Sequence, residues 1–253
     1  MDTLKLKRLY GNVGQKKETN MKEIKKLKIT VFGDSIGKGI TTDNGKIEKI
    51  PCGAVELFEK EHSLKVDNRS VYGQSLKRLC KKGIIDKYIN ELRGDGQEVA
   101  VLELGGNDAD FDWKKVAENP SQSHDSQTSI QEFSSLYGET VKRLRGAGVK
   151  VVACTIVPID SERFFNRVIG SLADKSRVLE FFKGDFNTIH RHQEEFNNEI
   201  LKNAYSHGAT VIDLRRSFLL SNDFKGLMCQ DGIHPNGQGH EQMYGAIQEF
   251  LAM

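Results

Sequence analysis

The sequence predicts a three-layer α/β/α domain built on a parallel sheet. Two observations carry that prediction. Short apolar runs near 29–32, 98–104, 149–157 and 209–214 alternate with segments whose apolar residues recur at helical spacing. Two of these runs, and the weaker one near 64–71, lead into glycine-containing turns, and right-handed crossovers bring such strand ends to one edge of a sheet. A chain of 253 residues suits one domain of this kind and buries roughly 70–75% of its unfolded surface.

Residues 1–26 are polar and lysine-rich, and they are expected to form an N-terminal extension, a tail rather than an added strand. The single domain is expected over 27–253. Its first strand is Ile29-Thr30-Val31-Phe32, which stops in Gly33-Asp34-Ser35-Ile36-Gly37. A loop over 43–50 and a helix over 52–62 follow. A weaker strand over 64–71 ends at Tyr72-Gly73-Gln74-Ser75. Leu76, Leu79, Ile85, Ile89 and Leu92 predict a helix interrupted at Gly83. The strong strand 98–104 runs into Gly105-Gly106-Asn107-Asp108.

Residues 109–129 read as a long polar loop holding the only tryptophan, Trp113. A helix over 130–145 is stopped by Gly146 and Gly148, and the strand 149–157 by Pro158. The region 159–188 carries Phe164, Phe165, Phe181, Phe182 and Phe186 in no clear period. It is a lid, an acyl-pocket wall or a satellite core. A helix over 189–206, a strand over 209–214 and a helix over 239–251 complete the chain.

The net charge of +2, from 37 basic and 35 acidic residues, offers no electrostatic reason to expect nucleic acid or an anionic membrane as partner. There is no apolar run of about 18 residues and no signal-peptide core. The four cysteines form no C-x-x-C pair, which fits reduced thiols and a cytoplasmic location.

Serine needs a base to become a nucleophile, most often a histidine oriented by a carboxylate. Ser35 in its turn, with Asp231-Gly232-Ile233-His234 before the last helix, supplies that set. Attack on an acyl carbon also needs donors for the oxyanion. The Ser35 N–H, the Gly73 N–H and the Asn107 amide are the candidates.

Taken together these segments resemble the GDSL-type, or SGNH, hydrolases. Four blocks occur in order: Gly33-Asp34-Ser35-Ile36, Gly73, Gly105-Gly106-Asn107-Asp108, and Asp231-Gly232-Ile233-His234-Pro235. They span nearly the whole chain from Lys28 onward. Ile36 stands where the family has leucine. The resemblance implies a flavodoxin-like five-stranded sheet of order 2-1-3-4-5 and a triad of Ser35, His234 and Asp231. It also implies an oxyanion hole of Ser35, Gly73 and Asn107, and ester hydrolysis without cofactor or metal. The substrate is then a small-molecule ester: a short acyl or acetyl ester, an acetylated carbohydrate or a lysolipid. Asp34, Trp113, Phe164 and Phe165 are candidate substrate contacts.

Gly33-Asp34-Ser35-Ile36-Gly37 also fits the G-x-S-x-G elbow of α/β-hydrolases, but the serine follows the first strong strand and the acid and histidine lie three apart. His190 and His192 are expected on a solvated helix face, and Asp108, Asp110 and Asp112 in a solvated acidic loop. His240 is expected on the last helix, outside catalysis. Two rival functions remain: an acyltransferase, separable by product analysis with an added acceptor, and a binding module, which has no need of all five residues.

Overall fold

The computed structural model describes residues 24–43 and 45–252. Most of the expected extension lies outside them. Of its last residues, Ile24 is buried with Val31, Phe58 and Val66 in the core.

Five strands form one parallel sheet: β1 (Lys28–Gly33), β2 (Asp67–Asn68), β3 (Glu98–Glu103), β4 (Lys150–Cys154) and β5 (Thr210–Ile212). Their spatial order is β2-β1-β3-β4-β5, as expected from the resemblance. The helices are α1 (Ala54–His62), α2 (Leu76–Lys81), α3 (Ile84–Glu91), α4 (Trp113–Glu118), α5 (Ile130–Gly146), α6 (Lys175–Phe181), α7 (Thr188–His207), α8 (Leu214–Leu219) and α9 (Gly237–Ala252). None is long and apolar enough to cross a membrane, among the described residues.

Alternation along the strands sorts residues onto two faces. Phe32, Ala100, Leu102, Val151 and Ala153 pack with Leu76, Tyr88, Phe133 and Phe196 of α2, α3, α5 and α7. Val99, Val152, Cys154 and Ile212 pack with Phe218 of α8 and Met243 of α9 on the other. The sheet is thus covered on both sides, which its near-continuous apolar strands require.

Three local expectations are corrected and one is sharpened. The strand expected over 64–71 is regular only at Asp67–Asn68, because Asn68 turns its side chain onto the backbone: its Nδ2 donates to Gly37 O and its Oδ1 accepts from Ser70 N. The expected loop at 43–50 contributes a short antiparallel pair, Glu48–Lys49 against Ile40–Thr41. The interruption expected at Gly83 is a full break into two helices, since Gly83 adopts φ 63°. The polar loop 109–129 contains α4, which Asp112 begins by accepting the Lys115 N–H.

The aromatic region is helical over 161–172, with a π-turn at Phe164–Ile169, and again in α6. Phe111, Trp113, Phe164, Phe165 and Phe182 form a satellite core there. Its edge-on and tilted ring contacts, such as Trp113–Phe164 at 5.9 Å, hold it as a packed body.

Candidate active site

The carboxyl edge of a parallel sheet is where loops from several strands converge. The turn after β1 is set by Asp34, whose Oδ1 accepts the Ile36 N–H at 2.8 Å. Ser35 sits at its head and is 7% exposed. The Ser35 Oγ lies 2.8 Å from His234 Nε2, and His234 Nδ1 lies 2.6 Å from Asp231 Oδ2. A carboxylate opposite Nδ1 favours the tautomer with its proton there, leaving Nε2 free to accept from the serine hydroxyl.

The loop that carries the acid and the histidine is held at each end. Asp231 Oδ1 accepts the backbone N–H groups of Ile233 and His234, and Oδ2 also accepts the Thr42 hydroxyl at 2.7 Å. Burial works to raise this carboxyl, but the His234 bond, the Ile233 N–H and Thr42 outweigh it and hold it at about 2. Arg163 donates through Nη1 to the carbonyls of Lys225 and Met228, and Asp160 N donates to Gly232 O. Gly232 has φ 73°, and a Cβ there would lie 2.6 Å from Asp160 O. The start of the aromatic region is therefore clamped onto the loop of Asp231 and His234.

Asn107 donates through Nδ2 to Asp34 Oδ2 at 3.0 Å and to Gln74 O at 3.1 Å. Its neighbour Asp108 ties the second block to the third. The Asp108 carboxylate accepts from Leu76 N, Lys77 N and Thr128 Oγ1, so the start of α2 sits beside the turn after β3. Gly73, with φ 67°, lies in the loop between. Neither the Ser35 nor the Gly73 N–H has an acceptor among the described residues. Burial raises the Asp34 carboxyl to about 6, against the opposing Ile36 bond.

A cavity of about 250 Å³ opens beside Ser35 and His234. Its walls include Tyr72, Phe111, Trp113, Ile156 and Phe164, with Asp110 and His192 as polar members. Of the candidate substrate contacts, Trp113 and Phe164 border the cavity. Phe165 does not: it stacks on Phe186 at 5.7 Å within the satellite core. Asp34 borders the cavity, and both its carboxylate oxygens are engaged by the protein.

The histidine and aspartate expectations are corrected here. His192 is tilted against Phe111 at 4.6 Å and faces the cavity, and burial lowers its pKa. His190 meets the buried Arg215. Asp108 is fully buried by the donors it collects. Asp110 accepts the Trp113 indole N–H, and burial raises it to about 6. Only Asp112 stays at the surface. His240 is buried and accepts the Ala54 N–H, joining α9 to α1. Among the described residues, no group of three or more His, Cys, Asp or Glu is arranged to hold a metal ion.

Sequence reasoning missed Thr42, Glu103 and Tyr72. Thr42 and Tyr72 leave no pattern, although Tyr72 stacks parallel to the His234 ring at 6.4 Å. Glu103 did leave one: an acid directly after the apolar run Val99–Leu102.

The sequence profile of the GDSL-like Lipase/Acylhydrolase family matches residues 31–242. No curated protein matches the chain. Among solved structures, a lipase/acylhydrolase from Enterococcus faecalis is similar at 17% identity and TM-score 0.59, covering 89% of this chain and 95% of that one. A lipolytic protein of the G-D-S-L family from Veillonella parvula is similar at 19% identity and TM-score 0.59, covering 88% and 97%. A catalytic mutant of an acetylxylan esterase from Geobacillus stearothermophilus is similar at 14% identity and TM-score 0.59, covering 89% and 94%. At these identities the likeness speaks for the fold alone.

Proposed function

The chain belongs to the GDSL-like Lipase/Acylhydrolase family, and on that premise we propose that it hydrolyses short acyl or acetyl esters through Ser35, His234 and Asp231. The observation that carries this reading is the unbroken chain of contacts from Ser35 Oγ to His234 at 2.8 Å and from His234 to Asp231 at 2.6 Å. In the reaction, His234 Nε2 takes the Ser35 proton as Oγ attacks the acyl carbon. Asp231 stabilises the imidazolium that forms. The developing oxyanion is received by the Ser35 and Gly73 N–H groups, and by the Asn107 amide once it exchanges one of its two bonds, to Asp34 or to Gln74 O, for the oxyanion. His234 returns its proton to the leaving alcohol, and water releases the acid by the same route.

The cavity supports a short acyl group. Its apolar walls, among them Phe111, Trp113, Ile156 and Phe164, suit an apolar acyl group of modest size. Tyr72, 45% exposed beside His234, suits the alcohol side of the ester. A p-nitrophenyl series from acetate to decanoate tests this, run beside Ser35→Ala. The expected optimum is at acetate to butyrate; an optimum at decanoate refutes the short-acyl reading.

Two further outcomes are expected. Asn107→Ala lowers kcat by about 10²–10³-fold, the loss for one oxyanion donor. A fall in affinity with unchanged kcat would remove Asn107 from that role. Thr42→Val deletes one hydroxyl bond to the ionised Asp231 and is expected to lower kcat about tenfold, since bonds to charged groups contribute about 1.5–3 kcal/mol. Steady-state kinetics on the best ester of the series reads both effects, and full activity in Thr42→Val would show that the backbone donors alone hold the acid.

A further inference from the structure

We propose that Glu103 is a positioning residue for the nucleophile: its buried carboxyl holds the turn that aims Ser35 and leaves the Ser35 N–H as the free donor of that turn. The proposal rests on the reading of Ser35 as nucleophile.

Glu103 is the last residue of β3 and lies in register opposite Gly33, the last residue of β1. Val99, Val101 and Glu103 alternate onto the same face of the sheet. An apolar residue is the rule at such a site, yet Glu103 is 8% exposed. Its contacts with the turn are to backbone rather than to a cation. Glu103 Oε2 accepts the Asp34 N–H at 3.3 Å and the Gly37 N–H at 3.0 Å. Burial, with Asp34 nearby, raises its pKa well above the usual carboxylate range. Burying a carboxyl among apolar residues is costly, and the two bonds are the visible compensation.

Those bonds divide the donors of the turn. The Asp34 and Gly37 N–H groups go to Glu103, and the Ile36 N–H goes to Asp34 Oδ1. The Ser35 N–H, between them, is left without an acceptor among the described residues. A turn fixed at both shoulders holds this N–H in place and fixes the Cα from which Oγ reaches His234.

The glycines that flank the serine give independent support. Neither Gly33 nor Gly37 has a positive φ, so backbone conformation does not demand glycine at either. Space does. A Cβ on Gly33 would lie 2.8 Å from Glu103 Oε2, and one on Gly37 would also lie 2.8 Å from it. The Ser70 hydroxyl closes the same space, at 2.6 and 2.8 Å. The spacing Gly33-x-x-x-Gly37 around Ser35 is therefore the imprint of this carboxyl together with the Ser70 hydroxyl.

The test compares Glu103→Ala and Glu103→Gln with the wild type, by steady-state kinetics and by the rate at which a fluorophosphonate probe labels Ser35. Glu103→Ala is expected to lower kcat by about 10²-fold with KM within about twofold, and to slow labelling in parallel. Glu103→Gln keeps a carbonyl acceptor and is expected to recover most of both losses. Rapid labelling and full kcat in Glu103→Ala would overturn the proposal, as would equal losses in Ala and Gln. Should Glu103→Ala fail to fold, Gly37→Ala displaces the carboxyl instead; it is expected to lower kcat without raising KM, and normal kcat in it would also overturn the proposal. Failure of the underlying reading looks different: the wild type itself would not be labelled at Ser35.

Discussion

Ser35→Ala is expected to abolish ester turnover, a fall in kcat on the order of 10⁶-fold, as is typical when a triad loses its nucleophile. The substitution removes one oxygen. It leaves the Ser35 N–H, the glycines and the Glu103 bonds in place, so the turn keeps its shape. Among the described residues, the only side-chain bond lost is the one from Oγ to His234. A variant with unchanged thermal unfolding and no turnover would locate the chemistry in that hydroxyl. The same variant should resist fluorophosphonate labelling. Turnover above about a thousandth of wild type, after purification free of host esterases, would mean that water is activated directly and that no acyl-enzyme forms on Ser35.

Much of the fold was legible because its signals are local. Apolar β-branched runs and helical spacing depend on neighbours in sequence, and they gave the alternation that becomes the β2-β1-β3-β4-β5 sheet. The turns after β1 and β3 were legible for the same reason. What escaped depends on distant partners. Asp108 reads as solvent-facing by composition, but Leu76, Lys77 and Thr128 supply three donors that permit its burial. His192 looks like part of a polar helix face until Phe111 and Phe196 are brought against it. Thr42 is an ordinary loop threonine until the loop of Asp231 arrives beside it. The two-residue strand β2 was overextended because Asn68 bonds its own neighbourhood, a competition that a hydropathy pattern does not register.

His234→Ala is expected to match Ser35→Ala in severity, because in the proposed mechanism base and nucleophile act as one unit. Asp231→Asn is expected to cost less, about 10⁴-fold in kcat. The geometry says why the loss should still be large. Asp231 Oδ1 accepts two backbone N–H groups, so an asparagine must keep its carbonyl oxygen there. Its NH₂ then takes the place of Oδ2 and donates to His234 Nδ1. That donation drives the imidazole proton to Nε2, the atom that has to accept from Ser35. The variant therefore folds with the wrong tautomer facing its nucleophile. The native carboxyl titrates at about 2, below the ordinary value near 3.9. Its ionised form stabilises the fold fully above about pH 4, and that contribution fades as pH falls through about 2. The acid is thus ionised throughout the neutral range, and protonating it is not what limits activity above pH 4. A kcat in Asp231→Asn within tenfold of wild type at pH 7 would show that His234 finds its tautomer without this carboxylate, and the triad would reduce to a serine–histidine pair.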